Sequence, residues 1–228
     1  MVNQPIFSVS SNDREKLETV CNRSRIRLLG VTGGIASGKS TIADLLQKKG
    51  AALIDFDVLA REAVEPGEKA FHAIVDYFGD AVLQTDGRLD RKKISSIVFQ
   101  DDEKRKVLMN FIYPRIAEMF IQRVEEFAKK STRNIILAVV PLLIEENMQG
   151  LFQKIILVHI PREKQIERLM ERDGITRSKA EAILNAQMPI DAKLKYADFV
   201  IHNEGDLDST RNQVDGLWNA LHESERKD

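Results

Sequence analysis

The stretch "GVTGGIASGKST", residues 30–41, sets Gly33, Gly38, Lys39 and Ser40 in the spacing G-x-x-x-x-G-K-[ST]. Apolar "IRLLGV" (Ile26–Val31) precedes it, and "TIADLLQK" (Thr41–Lys48) follows with helical periodicity, so the motif falls on a strand–turn–helix junction. Glycine at such a turn permits positive φ and removes Cβ, which lets successive backbone N–H groups converge on an anion at a helix N-terminus. The chain from Gly33 and Gly34 through Ala36, Ser37, Gly38, Lys39, Ser40 and Thr41 would line that nest. Lys39 would reach the β- and γ-phosphates of a nucleotide, and the Ser40 hydroxyl would ligate Mg²⁺. The motif in this context reads as a nucleoside triphosphate site.

Working outward, further short apolar runs follow: Ala52–Ile54, Ile135–Val140, Ile155–Ile160 and a weaker Phe199–Ile201. Near-continuous apolar runs separated by helical patterns indicate strands buried on both faces, hence an α/β fold around a five-stranded parallel sheet. From Glu68 to Phe78, and from Arg91 to Lys130, apolar residues recur at helical intervals, with Asp90 and Asp101 at expected N-cap positions. This segment reads as a helical insertion between the second and third strands. A charged helical stretch, Glu163–Met188, lies before the last strand, and residues 1–24 read as an added tail, part amphipathic and part disordered.

Composition limits the partners. Lys plus Arg (34) nearly balances Asp plus Glu (35), which argues against a broad nucleic-acid or anionic-membrane surface. No apolar run approaches the roughly 18 residues of a membrane span, and the first 25 residues lack the continuous apolar core of a secretory signal. The single cysteine, Cys21, fits a reducing compartment. A soluble, cytoplasmic and monomeric protein is the expectation.

The P-loop class is narrowed by what accompanies it. No Asn-Lys-x-Asp run for reading guanine is present, and the third strand runs into Pro141 rather than ending in an acid. The organisation is that of a small-molecule kinase. Asp55 and Asp57 directly follow "AALI", where ligands of open α/β sheets bind. A spacing of two puts both on one side of an extended segment, so one can deprotonate an acceptor hydroxyl and the other can hold Mg²⁺. The same acids would also suit helix capping, and Glu145 competes with Asp55 as the second Mg²⁺ contact. In "PREKQIERLMERDG", Lys164, Arg168 and Arg172 form one stripe and Glu163, Glu167 and Glu171 another, with Ile166, Leu169 and Met170 apolar. That pattern suits either a salt-bridged surface helix or a lid whose arginines, Arg177 included, neutralise the triphosphate.

Taken in order, "GVTGGIASGKST", "LIDFDVLAREAVEPG", "DGRLDRKKISSIVF", "VVPLLIEE", "ERLMERDGITRSKAEAILNAQMP" and "ADFVIHNEG" resemble the dephospho-coenzyme A kinase family over residues 26–205. The resemblance implies a nucleoside-monophosphate-kinase-like P-loop fold that transfers a phosphoryl group from ATP to the ribose 3′-hydroxyl of dephospho-CoA, the final step of CoA biosynthesis. It implies Asp57 as base and Arg168, with Arg172 and Arg177, as lid cations; beside it, the reading of the residues puts Lys39 on the transferring phosphate and Ser40 with Asp55 as the Mg²⁺ candidates. It also implies a division into an extension (1–24), a nucleotide-binding core (25–60, 131–161 and 193–228), a helical acceptor domain (61–130) and a lid (162–192). The family usually has His-Pro where this chain has Tyr113-Pro114, and its common core has no counterpart of the extension. A kinase for another small acceptor, such as a nucleoside or nucleotide, and a non-catalytic nucleotide switch stand as alternatives.

Overall fold

The computed structural model describes residue 7, residues 9–130 and residues 134–223. The parts of the expected tail at residues 1–6 and 8 lie outside the described residues. In chain order the elements are α1 (Ser11–Arg23), β1 (Arg27–Gly33), α2 (Lys39–Lys48), β2 (Ala52–Asp55), α3 (Phe56–Glu62), α4 (Lys69–Phe78), α5 (Arg91–Gln100), α6 (Asp102–Lys130), β3 (Ile135–Val139), β4 (Lys154–His159), α7 (Arg162–Asp173), α8 (Arg177–Asn185), α9 (Ile190–Lys193), β5 (Phe199–His202) and α10 (Leu207–Glu223). The chain divides into two compact units: residues up to Val20 with Asp55–Lys129, and Cys21–Ile54 with Lys130 onward.

The second unit is built on the sheet. Its strands run in the order β2-β3-β1-β4-β5, so β1, which leads into the glycine-rich loop, is central. β1 pairs in parallel with β3 and β4 on either side, Val31 opposite Val139 and Ile156. Leu29, Val31, Ile156 and Val158 are completely buried, as strands covered on both faces require. Ile42 and Leu46 of α2, with Val214, Leu217 and Leu221 of α10, pack into the same core. Each such side chain contributes about 1.5–3 kcal/mol by leaving water, so the turn after β1 sits on a rigid base.

The other unit is helical. Ile74 of α4, Val82, Leu89, Ile94 of α5 and Leu108 of α6 form its core. Both expected caps are present: the Asp90 carboxylate accepts the Lys93 N–H at 3.0 Å, and Asp101 accepts those of Glu103 and Lys104 at 3.1 and 3.0 Å. A short 3₁₀ turn (Asp80–Val82) and an antiparallel bridge between Leu83 and Leu89 interrupt the helices where the sequence pattern shows no element. Part of the expected tail is ordered helix. Ser10 Oγ accepts the Asp13 N–H at 3.1 Å to start α1, and Leu17 is buried. Among the described residues no helix is long and apolar enough to cross a membrane.

Candidate active site

β1 delivers the chain into the loop at Gly33, and α2 begins at Lys39. Gly38 occupies the N-cap of α2 with φ 89° and ψ 29°, a left-handed conformation that a side chain would strain. Having no side chain, it makes no side-chain cap bond, and the N-terminus of a helix is where backbone N–H groups meet an anion. The loop is also too crowded for side chains. A Cβ on Gly34 would overlap the Gln165 amide, and one on Gly33 would lie 2.5 Å from the Val158 carbonyl oxygen. Ala36 holds φ 59°, a left-handed setting that costs a non-glycine residue about 1–2 kcal/mol. The rest of the loop has to over-determine that conformation.

Side chains from distant parts of the sequence do so. The Gln165 amide donates to the Ile35 carbonyl at 3.1 Å, and Gln187 accepts the Ile35 N–H at 3.2 Å. Asn203, just beyond β5, donates to the Ser37 carbonyl at 2.8 Å while its own oxygen accepts the Thr210 hydroxyl at 3.0 Å. Ile166, Leu169, Ala180 and Leu184 join α7 to α8, and Ile35 and Ala36 pack against that cluster. The helices after β4 are therefore fastened to the phosphate loop. The Ser37 hydroxyl is fully buried and has no hydrogen-bond partner among the described residues, an orphan donor inside an anion nest.

Lys39 Nζ donates to the Gly33 and Gly34 carbonyls at 3.1 and 2.9 Å. Of the three arginines expected on a lid, Arg168 reaches the loop: its guanidinium donates to the Asn203 carbonyl at 2.7 Å and lies 3.9 Å from where a Gly38 Cβ would stand. Arg172 and Arg177 are held in exposed ion pairs instead. Arg172 makes two bonds to Asp173, at 2.7 and 2.9 Å, which raise its basicity and hold the Asp173 carboxyl below the usual carboxylate range. Arg177 bonds Glu163 at 2.7 Å and Glu181 at 2.9 Å, and the Glu163 bond raises it most.

Glu145 is engaged elsewhere. Lys193, completely buried, places its ammonium 2.8 and 3.0 Å from the two Glu145 oxygens, and Glu145 also accepts the Met188 N–H at 3.2 Å. This pair anchors the segment that carries Gln187 to the loop. Replacing Glu145 by leucine strands a buried ammonium and should cost about 3 kcal/mol or more. Lys193→Met leaves a carboxylate that is 20% exposed and should cost less. Urea unfolding of the two variants checks this; equal losses would contradict it.

The acid pair differs from the sequence expectation. β2 stops at Asp55, whose Oδ1 accepts the Asp57 N–H at 2.8 Å and so caps α3. Asp57 therefore sits in the first turn of a helix, exposed, and the two carboxylates do not share one side of an extended segment. A capping aspartate offers the N–H two residues on a better partner than the next strand residue would, which ends β2 there. Its second oxygen and the exposed Ser40 hydroxyl are hard oxygen donors of the kind Mg²⁺ takes. Among the described residues no group of three or more His, Cys, Asp or Glu converges, but Mg²⁺ in nucleotide sites uses only one or two protein oxygens.

Within the helical unit, two cavities adjoin. One, of about 520 Å³, is lined by Glu65, Pro66, Asp86, Arg88, Arg91 and Lys92 among others. The other, of about 290 Å³, is mostly apolar, with Ile94, Val98, Leu108 and Ile112 in its wall. Val64, Leu89 and Arg91 line both. Ala60, three residues after Asp57 on α3, lines the apolar cavity, and Val64, just beyond the helix, lines both.

Gln165, Gln187, Lys193 and Asn203 were not legible as site residues. Each is a single polar residue whose role appears only once remote segments meet. Gln165 and Lys193 are polar at buried helix positions, whereas Gln187 and Asn203 lie in connecting segments with no local signal.

The dephospho-CoA kinase family profile matches residues 27–209. The dephospho-CoA kinase of Carboxydothermus hydrogenoformans is 42% identical over 187 residues, covering 82% of this chain and 90% of that protein. That of Shouchella clausii is 41% identical, over 86% of this chain and 99% of its own. A solved structure from Thermus thermophilus superposes with a TM-score of 0.73 at 30% identity, covering 86% of this chain and 98% of that one. A dephospho-CoA kinase structure from Campylobacter jejuni gives 0.66 at 28% identity, with 87% and 98% covered.

Proposed function

We propose, from the premise that the chain belongs to the dephospho-CoA kinase family, that it moves the γ-phosphoryl group of ATP to the ribose 3′-hydroxyl of dephospho-CoA, giving CoA and ADP. The observation that carries this reading is the strained, uncapped glycine loop at the start of α2, braced from below by Gln165, Gln187 and Asn203.

The residues divide the work as follows. Backbone N–H groups of the loop and the first turn of α2 hold the phosphates, apart from that of Ile35, which Gln187 accepts, and that of Ser37, which the Gly34 carbonyl accepts; the Ser37 hydroxyl gains a partner there. Lys39 exchanges its two loop carbonyls for phosphate oxygens, and Arg168, tethered through Asn203, meets the charge that spreads over the transferring group. Arg172 and Arg177 contribute once they leave their carboxylate partners, a movement that lid closure would supply. Ser40 and Asp55 are the residues that would hold Mg²⁺, which would offset charge on the phosphates. Asp57 takes the proton from the 3′-hydroxyl as the oxygen attacks. The helical unit, about residues 61–130, receives the acceptor: Arg88, Arg91 and Lys92 suit its diphosphate, and the apolar cavity suits its pantetheine arm. A monomeric, cytoplasmic enzyme completes the reading; the single cysteine, Cys21, supports the reducing compartment.

The test is the product. Incubation with ATP, Mg²⁺ and dephospho-CoA should yield a compound that a CoA-requiring acyltransferase accepts, while dephospho-CoA alone is refused. Phosphate released to water without such a product would contradict the assignment.

A further inference from the structure

Phe7 and α1 lie outside residues 27–209, yet both are fastened within the helical unit, Phe7 beside the candidate base. Phe7 is 8% exposed. Its ring stands edge-on to Tyr113 of α6, with centroids 5.3 Å apart, and tilted against Phe56 at 6.2 Å. Phe56 in turn packs on Phe120, 5.0 Å away and completely buried. Further along, Lys16 Nζ pairs with Glu125 Oε1 at 2.8 Å. Tyr113 and Glu125 are twelve residues apart on α6, so the segment is tied down over about 18 Å of that helix.

Phe56 is the residue between the two acids. Its backbone joins Asp55, which caps α3, to Asp57 in the first turn, and its ring is clamped by Phe120 and Phe7. Aromatic rings prefer such tilted and edge-on contacts, which resist rotation as a smooth apolar patch does not. Tyr113 of α6 meets the Phe7 ring edge-on from the other side of the series. A carboxylate that must meet a hydroxyl within hydrogen-bond reach is sensitive to small displacements of its backbone.

We propose that Phe7 is a positioning residue for Asp57: the N-terminal segment, through the ring series Tyr113–Phe7–Phe56–Phe120, sets the direction of the base and so the attack of the acceptor oxygen. The proposal rests on the reading of Asp57 as base. It assigns a role in turnover to a residue outside the span that the family profile matches.

A double-mutant cycle on the full chain tests it, with native protein, Phe7→Ala, Asp57→Asn and the double variant. Phe7→Ala should lower kcat for CoA formation by about 5- to 10-fold, with the ATP dissociation constant unchanged and thermal melting well above the assay temperature. In the Asp57→Asn background the same substitution should cost nothing further, because the base it aims is gone. Phe7→Leu, which keeps most of the buried volume, should recover more than half of the lost kcat; it also replaces Phe7→Ala in the cycle if the alanine variant melts too low. Native kcat in Phe7→Ala, or an equal loss in both backgrounds, would overturn the proposal and leave Asp57 as base. Near-native activity of Asp57→Asn by itself would overturn the base assignment, and the proposal with it.

Discussion

Asp57→Asn is expected to lower kcat for CoA formation by about 10²-fold or more, the scale of a lost general base, while ATP binds as before. The separation follows from where the groups lie. Asp57 opens α3 in the helical unit, whereas every group assigned to the triphosphate belongs to the sheet unit. Asparagine keeps the size and leaves the Asp55 cap to the residue 57 N–H intact, since that bond uses the backbone. What it removes is the ability to accept a proton. Steady-state kcat with titration of ATP against each protein checks the prediction. Turnover close to native in the variant would show that another group, or water, takes the proton.

Lys39→Ala should fail differently, in binding and turnover together. A hydrogen bond to a charged partner contributes about 1.5–3 kcal/mol, so ATP affinity should fall by roughly 10- to 100-fold. The lysine also meets charge developing in the transition state, so kcat should drop by a further ~10²-fold. The substitution removes two bonds to the Gly33 and Gly34 carbonyls as well. Those carbonyls belong to a loop still held by Gln165, Gln187 and Asn203, so the fold should persist. Calorimetric titration with ATP, beside kcat, separates the two losses. Unchanged affinity would mean that the backbone nest alone holds the phosphates.

The sequence made some of this plain because the relevant signals are local. The glycine loop, the apolar strands and the caps at Asp90 and Asp101 depend on neighbours within a few residues, and each is found where its pattern places it. The order of the strands, with β1 at the centre, depends on long-range pairing and has no local signature. The same holds for the Glu145–Lys193 pair, which joins residues 48 apart in the chain, and for Asn203 against Ser37. Asp57 is a subtler case. Two acids after a strand read equally as the end of that strand or the start of a helix, and the Asp55 cap decides for the helix. The tail carried the weakest signal, since the partners of Phe7 lie in α3 and α6.

The central claim is that the acceptor hydroxyl belongs to dephospho-CoA, and acceptor-dependent ADP release tests it most directly. ATP and Mg²⁺ are supplied with dephospho-CoA, adenosine or AMP, or with no acceptor. The account predicts ADP release that depends on dephospho-CoA and is matched by CoA formed. Release with adenosine or AMP instead, or bound ATP with no release under any condition, would contradict it.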